Sequence, residues 1–361
     1  MKNNIKSVVA GILLASNLSN ADNSLDNVVI SEATIVSGVP GQIPTSASKT
    51  IDFDSEAMLY AVVKATQNGD EFYISEANQF ILNNTNVQPS EVVSPQEFEG
   101  ITIRWEKIES DSKGIYFSNT DPEWHWDQLS YKATPFEETA WAVSADVSPT
   151  ILEPVLLDGQ AVGTMRYRVV ITTPTQKVAS PGQESRHKGS VSEEVHRISR
   201  KGNTGNDIVD QGFSLCNNPY IWGSASWTGS NKDNQAERFV GSDCADLCVA
   251  AARLAGEEDL HYSGSVDLSQ NRSKMLAEIK SVNIRGVYFQ EGGPIKFDED
   301  IQPGDFVYWQ NHIGILARDN PPIGYLSEND TVLHTLFKEP REEPISTIYP
   351  GRTFSIVRPK L

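Results

Sequence analysis

One segment of the sequence, residues 241–256, has the features of a complete helix with its start and its stop. Ser242 and Asp243 favour the N-cap position, the run that follows is rich in Ala and Leu, and Gly256 is typical of the position after a helix end. We therefore predict a helix that begins at Cys244. Any fold of this chain has to place that thiol at a helix N-terminus.

The position of Cys244 matters because unpaired N–H groups and the positive end of the helix dipole stabilise an anion. We expect the pKa of the Cys244 thiol to be lowered there, which would make this residue a better nucleophile. The alternative is a buried and inert cysteine, since free cysteine is among the most buried residue types. This segment alone leaves both interpretations open.

Two histidines downstream lie in segments that predict β-strands. His312 begins the run 312–316, and His334 lies within the run 331–337. Both runs contain β-branched and aliphatic residues and are bounded by turn formers. One imidazole could take the proton of the thiol while the other group orients it, which is the logic of a catalytic triad. The alternative is a pair of core histidines whose hydrogen bonds are satisfied.

The order of several short motifs resembles the NlpC-type branch of papain-like cysteine peptidases. The motifs are PYIWG at 219–223, SDC at 242–244, QPGDFVYW at 302–309, HIGI at 312–315 and VLH at 332–334. The resemblance covers residues 206 to 360. It depends on the whole set, since each fragment alone is a weak signal.

In that family the cysteine that heads the helix is the nucleophile, the histidine of the HIGI motif is the base, and a polar residue on the following strand orients the base. The resemblance places these roles on Cys244, His312 and His334. It also implies that the hydroxyl of Tyr220 lies beside the thiol and that Asp243 helps to recognise the substrate. It implies no cofactor and no metal.

The resemblance implies an α+β fold, in which a papain-like domain packs the nucleophile, at a helix N-terminus, on an antiparallel sheet. A β-rich, sandwich-like module would precede that domain. The implied activity is hydrolysis of an amide bond in peptidoglycan stem peptides, commonly at the side-chain carboxyl of D-glutamate, through an acyl-enzyme. The alternatives are a thiol hydrolase with another amide or acyl substrate, and an inactive NlpC-like binding module.

Two departures from the family pattern affect the expected substrate. This chain has Ser224 at the third position of the usual Trp-Gly-Gly, and Ala245 and Asp246 where the family has a small Ser-Gly pair. A carboxylate at 246 would disfavour a thiolate if it pointed inward, and would suit the helix dipole if it faced solvent. The loop that precedes Cys244 is also longer than usual in the family.

The length of 361 residues favours two domains. Two lysines, a short apolar run and the small residues around Ala21 predict a signal peptide, so we expect export to the periplasm or the cell exterior. The expected organisation is a signal peptide (1–21), a flexible leader (22–50), a β-rich accessory domain (51–175), a linker (176–205) and the hydrolase domain (206–361).

The accessory domain is predicted to be an immunoglobulin-like β-sandwich, with a small barrel as the alternative. Segments rich in β-branched and aromatic residues recur there between clusters of turn formers. One of them, EWHWD at 123–127, either packs its tryptophans in the sandwich or contacts a ligand such as a wall glycan.

Charge and cysteine content limit the partners. The chain has 30 Lys and Arg against 48 Asp and Glu, a formal net charge of −18, which argues against nucleic acid or an anionic membrane. No membrane span is expected, because no run approaches the ~20 apolar residues required. The expected partner is peptidoglycan or a peptide. Three cysteines leave an odd number in an exported protein, and Cys216 with Cys248 is the conceivable bridge.

Overall fold

The computed structural model describes residues 27–111, 129–187, 190–224 and 235–360. The predicted signal peptide over 1–21, the motif at 123–127 and residues 225–234 of the loop before Cys244 lie outside the described residues. All three cysteines and both histidines of the predicted site lie within them.

Strands dominate the described part of the chain. They account for 43% of the structure against 12% for helices, in several sheets that are not closed. The α+β, papain-like fold class expected from the sequence is therefore wrong, and so is the closed barrel considered for the first half. Among the described helices, only Cys244–Leu254 is longer than eight residues. In the chain that follows this helix, turn formers such as Asn283, Gly286 and Gly292 separate short strands. A helical layer would need longer uninterrupted runs of helix-forming residues.

The described residues of the first half form two large sheets and two small ones. The five-stranded sheet has the order β1 (Val28–Gly38), β3 (Met58–Gln67), β4 (Asp70–Ile74) and β7 (Val92–Val93), with β10 (Ala142–Ser144) paired to β3. The seven-stranded sheet has the order β2 (Lys49–Ile51), β16 (Arg197–Arg200), β12 (Gln160–Thr172), β8 (Thr102–Ser110) and β9 (Tyr131–Glu137), with β11 (Val155–Leu157) and β13 (Lys177–Ala179) paired to β12. The small sheets are β5 (Phe80–Leu82) with β6 (Thr85–Val87), and β14 (Arg186–His187) with β15 (Ser190–Val191); two 3-10 turns are Pro89–Glu91 and Pro95–Glu97.

The two large sheets share one core. Leu59 of the first sheet packs in the same cluster as Trp105 and Tyr167 of the second. The polar ends of the aromatic residues are satisfied, because Trp105 Nε1 donates to the carbonyl of Ala140 at 2.7 Å and the Tyr167 hydroxyl donates to the carbonyl of Asp146 at 2.8 Å. Burial of such large side chains is the main favourable contribution to the folding of this half.

Two segments for which the sequence predicts no regular structure contribute strands to these sheets. β1 lies within the leader predicted over 22–50, and β13 to β16 lie within the linker predicted over 176–205. β16 pairs antiparallel with β12 and parallel with β2. It therefore forms part of the interior of the seven-stranded sheet.

The second half contains a six-stranded antiparallel sheet. Its order is β17 (Ser273–Glu278), β25 (Ser355–Pro359), β21 (Phe306–Trp309), β22 (His312–Arg318), β23 (Thr331–His334) and β24 (Arg341–Pro344). A smaller sheet consists of β18 (Ser281–Val282), β19 (Tyr288–Gln290) and β20 (Gly293–Pro294). The described helices are α1 (Asp207–Ser214), α2 (Cys244–Leu254), α3 (Ser265–Gln270) and α4 (Ile345–Ile348), and none of them has the length and apolar character that a membrane span requires.

The six-stranded sheet separates two hydrophobic clusters. Ile313 and Ile315 of β22 pack with residues of α1 and α2, whereas Leu316 packs with Trp309 in a cluster on the other side. This follows from the alternation of side chains along a strand. The cluster around α1 and α2 also contains Leu157 of β11, so the two halves of the chain share a core.

Candidate active site

Cys244 is the first residue of α2, and Asp243 is its N-cap. The Oδ1 atom of Asp243 accepts hydrogen bonds from the backbone N–H groups of Ala245 and Asp246, each at 3.0 Å. Its Oδ2 atom accepts one from the backbone of Gly223 at 2.8 Å. Both oxygens are therefore bound to the main chain, and Asp243 fixes the start of α2 at Cys244 as a helix cap worth about 1 kcal/mol.

The surroundings of the Cys244 thiol raise its pKa, so the lowering expected from the helix N-terminus is wrong. Burial is the main cause, and the carboxylates of Asp243 and Asp246 add to it, while the backbone N–H of Ile313 acts in the opposite direction. Desolvation of the anion outweighs the helix dipole here. The resting residue is a thiol, and a base has to take its proton during any reaction.

His312 and His334 lie side by side on neighbouring strands. The distance between Nε2 of His312 and Nδ1 of His334 is 3.0 Å, and both residues are completely buried. His312 is the first residue of β22, and His334 is the last residue of β23. The structure therefore brings together the two histidines that the sequence singles out.

Two further side chains extend this contact, and the sequence analysis did not find them. Nε2 of His334 lies 3.0 Å from Oε2 of Glu343, and Nε of Arg341 donates to Oε1 of Glu343 at 2.7 Å. Hydrogen bonds from His334 and Arg341 lower the pKa of Glu343 to about 2. The sequence signal that could have identified them is the spacing of Arg341 and Glu343, because charged residues two positions apart on a strand lie on the same face.

These contacts fix the tautomers of both rings. Glu343 is ionised and can only accept, so Nε2 of His334 carries a proton and donates it. Nδ1 of a neutral His334 is then an acceptor, so His312 donates from Nε2. This leaves Nδ1 of His312 with its lone pair, buried and without a hydrogen-bond partner among the described residues. A buried polar atom without a hydrogen bond lowers the stability of a folded protein. A general base would accept a proton on this atom.

Aromatic rings surround His312. Trp309 stacks on it with ring centroids 5.6 Å apart, and the ring of Tyr349 meets it edge-on, also at 5.6 Å. Burial lowers the pKa of His312 to about 3, with smaller contributions from His334 and Arg341. Burial also lowers the pKa of His334. Both rings are therefore neutral at pH 7, as the hydrogen-bond pattern requires.

A glycine allows the two histidine-bearing strands to come together. A Cβ atom at Gly314 would lie 2.5 Å from Cγ1 of Val332 and 2.9 Å from Cβ of His334. Folded proteins do not tolerate contacts this short, so any side chain at 314 would push β22 and β23 apart. The glycine of the HIGI motif thus has a structural role in holding the histidine pair.

Cys244 lines a cleft with a volume of about 910 Å³. The backbone of Tyr220 pairs with that of Ser242, and its ring lies with its centroid 5.5 Å from that of Phe337. The other cleft residues include one cation and several apolar side chains, namely Trp222, Val266, Leu336, Tyr349 and Arg352. Tyr220 and Asp243, both predicted to bind substrate, also line this cleft.

The two departures from the family pattern contact each other. Oγ of Ser224 donates to Oδ2 of Asp246 at 2.7 Å, and Asp246 is completely buried. Of the two orientations left open by the sequence, the inward one is present. A buried carboxylate therefore lies beneath the first turn of α2, near the proposed nucleophile.

The cysteines form no disulfide, and the described residues form no metal-ligand set. All three cysteines are free thiols, so the conceivable bridge between Cys216 and Cys248 is absent. Burial raises the pKa of both these thiols. Within residues 27–111, 129–187, 190–224 and 235–360, no group of three or more His, Cys, Asp or Glu side chains is arranged to hold a metal ion.

The chain was compared with family models, with curated proteins and with solved structures, and none of the three comparisons gave a match. The function therefore has to be inferred from the residues of the cleft and from their chemistry.

Proposed function

We propose that this protein is an exported cysteine hydrolase that cleaves an amide bond in the stem peptides of peptidoglycan. Cys244 is the nucleophile, His312 is the general base and acid, and His334 orients the base. The chemistry is supported by the Cys244 thiol, which lines the cleft, and by the buried pair His312 and His334. The wall peptide as substrate is supported by the order of the five sequence motifs that resemble NlpC-type peptidases.

The observation that carries the proposal is the hydrogen-bonded series Glu343, His334, His312, which ends in a ring nitrogen without a partner among the described residues. A histidine with a purely structural role normally has both nitrogens hydrogen bonded. A catalytic base keeps one nitrogen available for the proton of the nucleophile. The backbone N–H of Ile313, the next residue, already acts on the Cys244 thiol.

No hydrogen bond joins Sγ of Cys244 to Nδ1 of His312 among the described residues, so the thiol turns toward this nitrogen when the substrate binds. In the acylation step the thiol proton then passes to Nδ1 of His312 while Sγ attacks the carbonyl carbon of the amide. The C–N bond then breaks, the same proton passes to the leaving amine, and the acyl group stays on sulfur as a thioester. His334 and Glu343 stabilise the imidazolium during the transfer. The backbone N–H of Cys244, which the Asp243 cap does not use, would donate to the oxyanion.

Deacylation repeats these steps with water. Nδ1 of His312 takes a proton from the water molecule as its oxygen attacks the thioester carbonyl. The C–S bond breaks, the acid product leaves, and the proton returns to the sulfur of Cys244. His312 and Cys244 thus start and end each turnover in their uncharged forms, which agrees with the directions of their pKa shifts.

The proposal is tested with purified protein and isolated muropeptides. We expect new amine termini, identified by mass spectrometry, and we expect Cys244→Ala to abolish their release. Cys248→Ala is the matched control, because this buried thiol lies one turn further along the same helix and should be dispensable for turnover. Release that survives Cys244→Ala, or no release by the unaltered protein, would contradict the proposal.

A second candidate keeps the thiol chemistry and changes the substrate to another amide or acyl compound. The buried pair Ser224 and Asp246 favours it, since this carboxylate changes the electrostatic environment of the cleft from that of the family pattern. Panels of non-wall peptides and thioesters separate the two candidates. The second candidate is selected if the protein cleaves such compounds, if Cys244→Ala abolishes this cleavage, and if muropeptides stay uncleaved.

A further inference from the structure

A second cavity lies at the junction of the two halves of the chain, with a volume of about 650 Å³. Residues of the first half, including Ser46, form one part of its wall, and Arg238 and Val240, which precede α2, form another. It shares no lining residue with the cleft at Cys244.

Two arginines face each other in the wall of this cavity. Arg166 of β12 and Arg197 of β16 are direct cross-strand partners in the seven-stranded sheet. Like charges at such positions destabilise a sheet. Burial lowers the pKa of both guanidinium groups, and the charge of Arg166 contributes to the lowering for Arg197, to about 9.

Neither arginine takes part in any of the ion pairs of the described residues. Nη2 of Arg166 donates to Oδ1 of Asn218 at 3.1 Å and to the carbonyl of Phe239. Nη1 of Arg197 donates to Oγ of Ser199 at 2.7 Å, and its guanidinium carbon lies 3.6 Å from the ring centroid of Phe239. All of these partners are uncharged.

Four glutamates also line the cavity, and no ion pair joins any of them to Arg166 or Arg197 among the described residues. Glu193 and Glu237 pair with Arg238 and Arg253, whereas Glu32 and Glu194 accept hydrogen bonds from the hydroxyl groups of Thr34 and Ser185. Within the part of the chain that the structure describes, no ion pair therefore compensates the positive charge of Arg166 and Arg197. An anion bound between Arg166 and Arg197 would remove the repulsion between these two cross-strand charges.

We propose that the cavity binds a small molecule through a carboxylate or phosphate group held by the guanidinium groups of Arg166 and Arg197. Guanidinium groups match the geometry of both kinds of oxyanion. The cavity is much larger than a single oxyanion, so the group belongs to a larger ligand. This site is separate from the hydrolase activity proposed for Cys244 and does not depend on it.

The test uses the full chain, with sodium phosphate and sodium glutarate as probes and sodium chloride to keep the ionic strength constant. We expect at least one probe to raise the melting temperature in a saturable way. In Arg197→Gln the half-saturating concentration should increase at least about tenfold. Without a probe, this variant should melt no lower than the unaltered protein, because the repulsion between like charges is removed. Arg272→Gln is the control, since Arg272 is bound to Asp267 far along the chain and lies outside the cavity.

Arg197→Lys provides a second variant that keeps the charge and loses the planar fork, and it should also weaken the response. A response to phosphate alone or to glutarate alone identifies the class of ligand, and both results support the site. No saturable response of the unaltered protein to either probe would overturn the proposal. So would a response that is equal in Arg197→Gln and in Arg272→Gln.

Discussion

His196 in the first half and His312 in the second are both buried, and burial lowers the pKa of His196 to about 4 and that of His312 to about 3. Their hydrogen bonds differ. Nδ1 of His196 lies 3.2 Å from the carbonyl of Ser46, and its Nε2 lies 2.9 Å from Oγ of Ser37. His312 has one bonded nitrogen and one without a partner among the described residues. A lowered pKa reports burial in both cases, whereas a free ring nitrogen distinguishes the histidine that can act as a base.

His196 and His312 also differ in the parts of the structure that their hydrogen bonds connect. His196 connects β1 with the segment before β2, so its bonds tie backbone segments together. Among the described residues, the His312 ring is hydrogen bonded only to His334, and aromatic rings cover it. We therefore expect loss of stability from changes at the first site and loss of turnover from changes at the second.

After the complete loss expected for Cys244→Ala, the largest expected effect comes from His312→Gln. Loss of the base should reduce kcat/KM on muropeptides by about 10³-fold, with a small change in melting temperature. His196→Gln should leave kcat/KM nearly unchanged and reduce the free energy of unfolding by about 1–3 kcal/mol, because buried hydrogen bonds are lost. Equal losses of turnover in the two variants, measured at the same protein stability, would remove the distinction between the two histidines.

Glu343→Gln tests whether the series of contacts positions the base. A glutamine can donate an N–H to Nε2 of His334, which favours the opposite tautomer and turns a proton toward His312. We expect kcat to fall about 10- to 100-fold with little change in KM. Glu342→Gln on the same strand, whose carboxylate binds Arg318, should retain kcat. A purely structural Glu343 would instead give a variant with lower stability and normal kcat at low temperature.

Gly314→Ala tests the close approach of the two strands. The added Cβ would meet Val332 at 2.5 Å, so we expect the free energy of unfolding to fall by about 1–3 kcal/mol and turnover to fall with it. Gly264→Ala is the control for stability, because a Cβ there would meet no heavy atom within 4 Å. Urea unfolding of both variants measures the difference. Equal stability of the two would show that β22 and β23 have more room than the structure indicates.

A further expected effect is on the pH dependence of stability. An unfolded imidazole takes up a proton below its usual pKa of 6.5, whereas folded His196 stays neutral down to about 4. The unfolded state therefore binds more protons, and the free energy of unfolding falls as the pH falls from 6.5 towards 4. His196→Gln should make this decline shallower by up to about 1.4 kcal/mol per pH unit. An unchanged slope in urea unfolding between pH 6.5 and pH 4 would contradict the lowered pKa of His196.

Local signals in the sequence located the elements of the site. The helix predicted from residues 241–256 is present as Cys244–Leu254, and the strands predicted around His312 and His334 are present as β22 and β23. Caps, helix-favouring runs and β-branched runs act over short distances, so they can be recognised without knowledge of the tertiary structure.

Properties that depend on distant residues were not predicted. The pairing of β24 with β23, which brings Glu343 to His334, is set by strand register. The pKa of the Cys244 thiol was expected to fall and is raised, because burial depends on everything packed around the helix. The α+β fold class failed for the same reason, since a few local motifs do not determine how much of a chain forms strands.

The parallel pairing of β2 with β16 has a consequence for the synthesis of the chain. Lys49 emerges from the ribosome long before its partner Ile198 exists, so the seven-stranded sheet cannot be completed during most of translation. Pairings between residues this far apart in sequence slow folding. A nascent chain interrupted before residue 197 would present unpaired strand edges to its neighbours, which makes such fragments prone to aggregate.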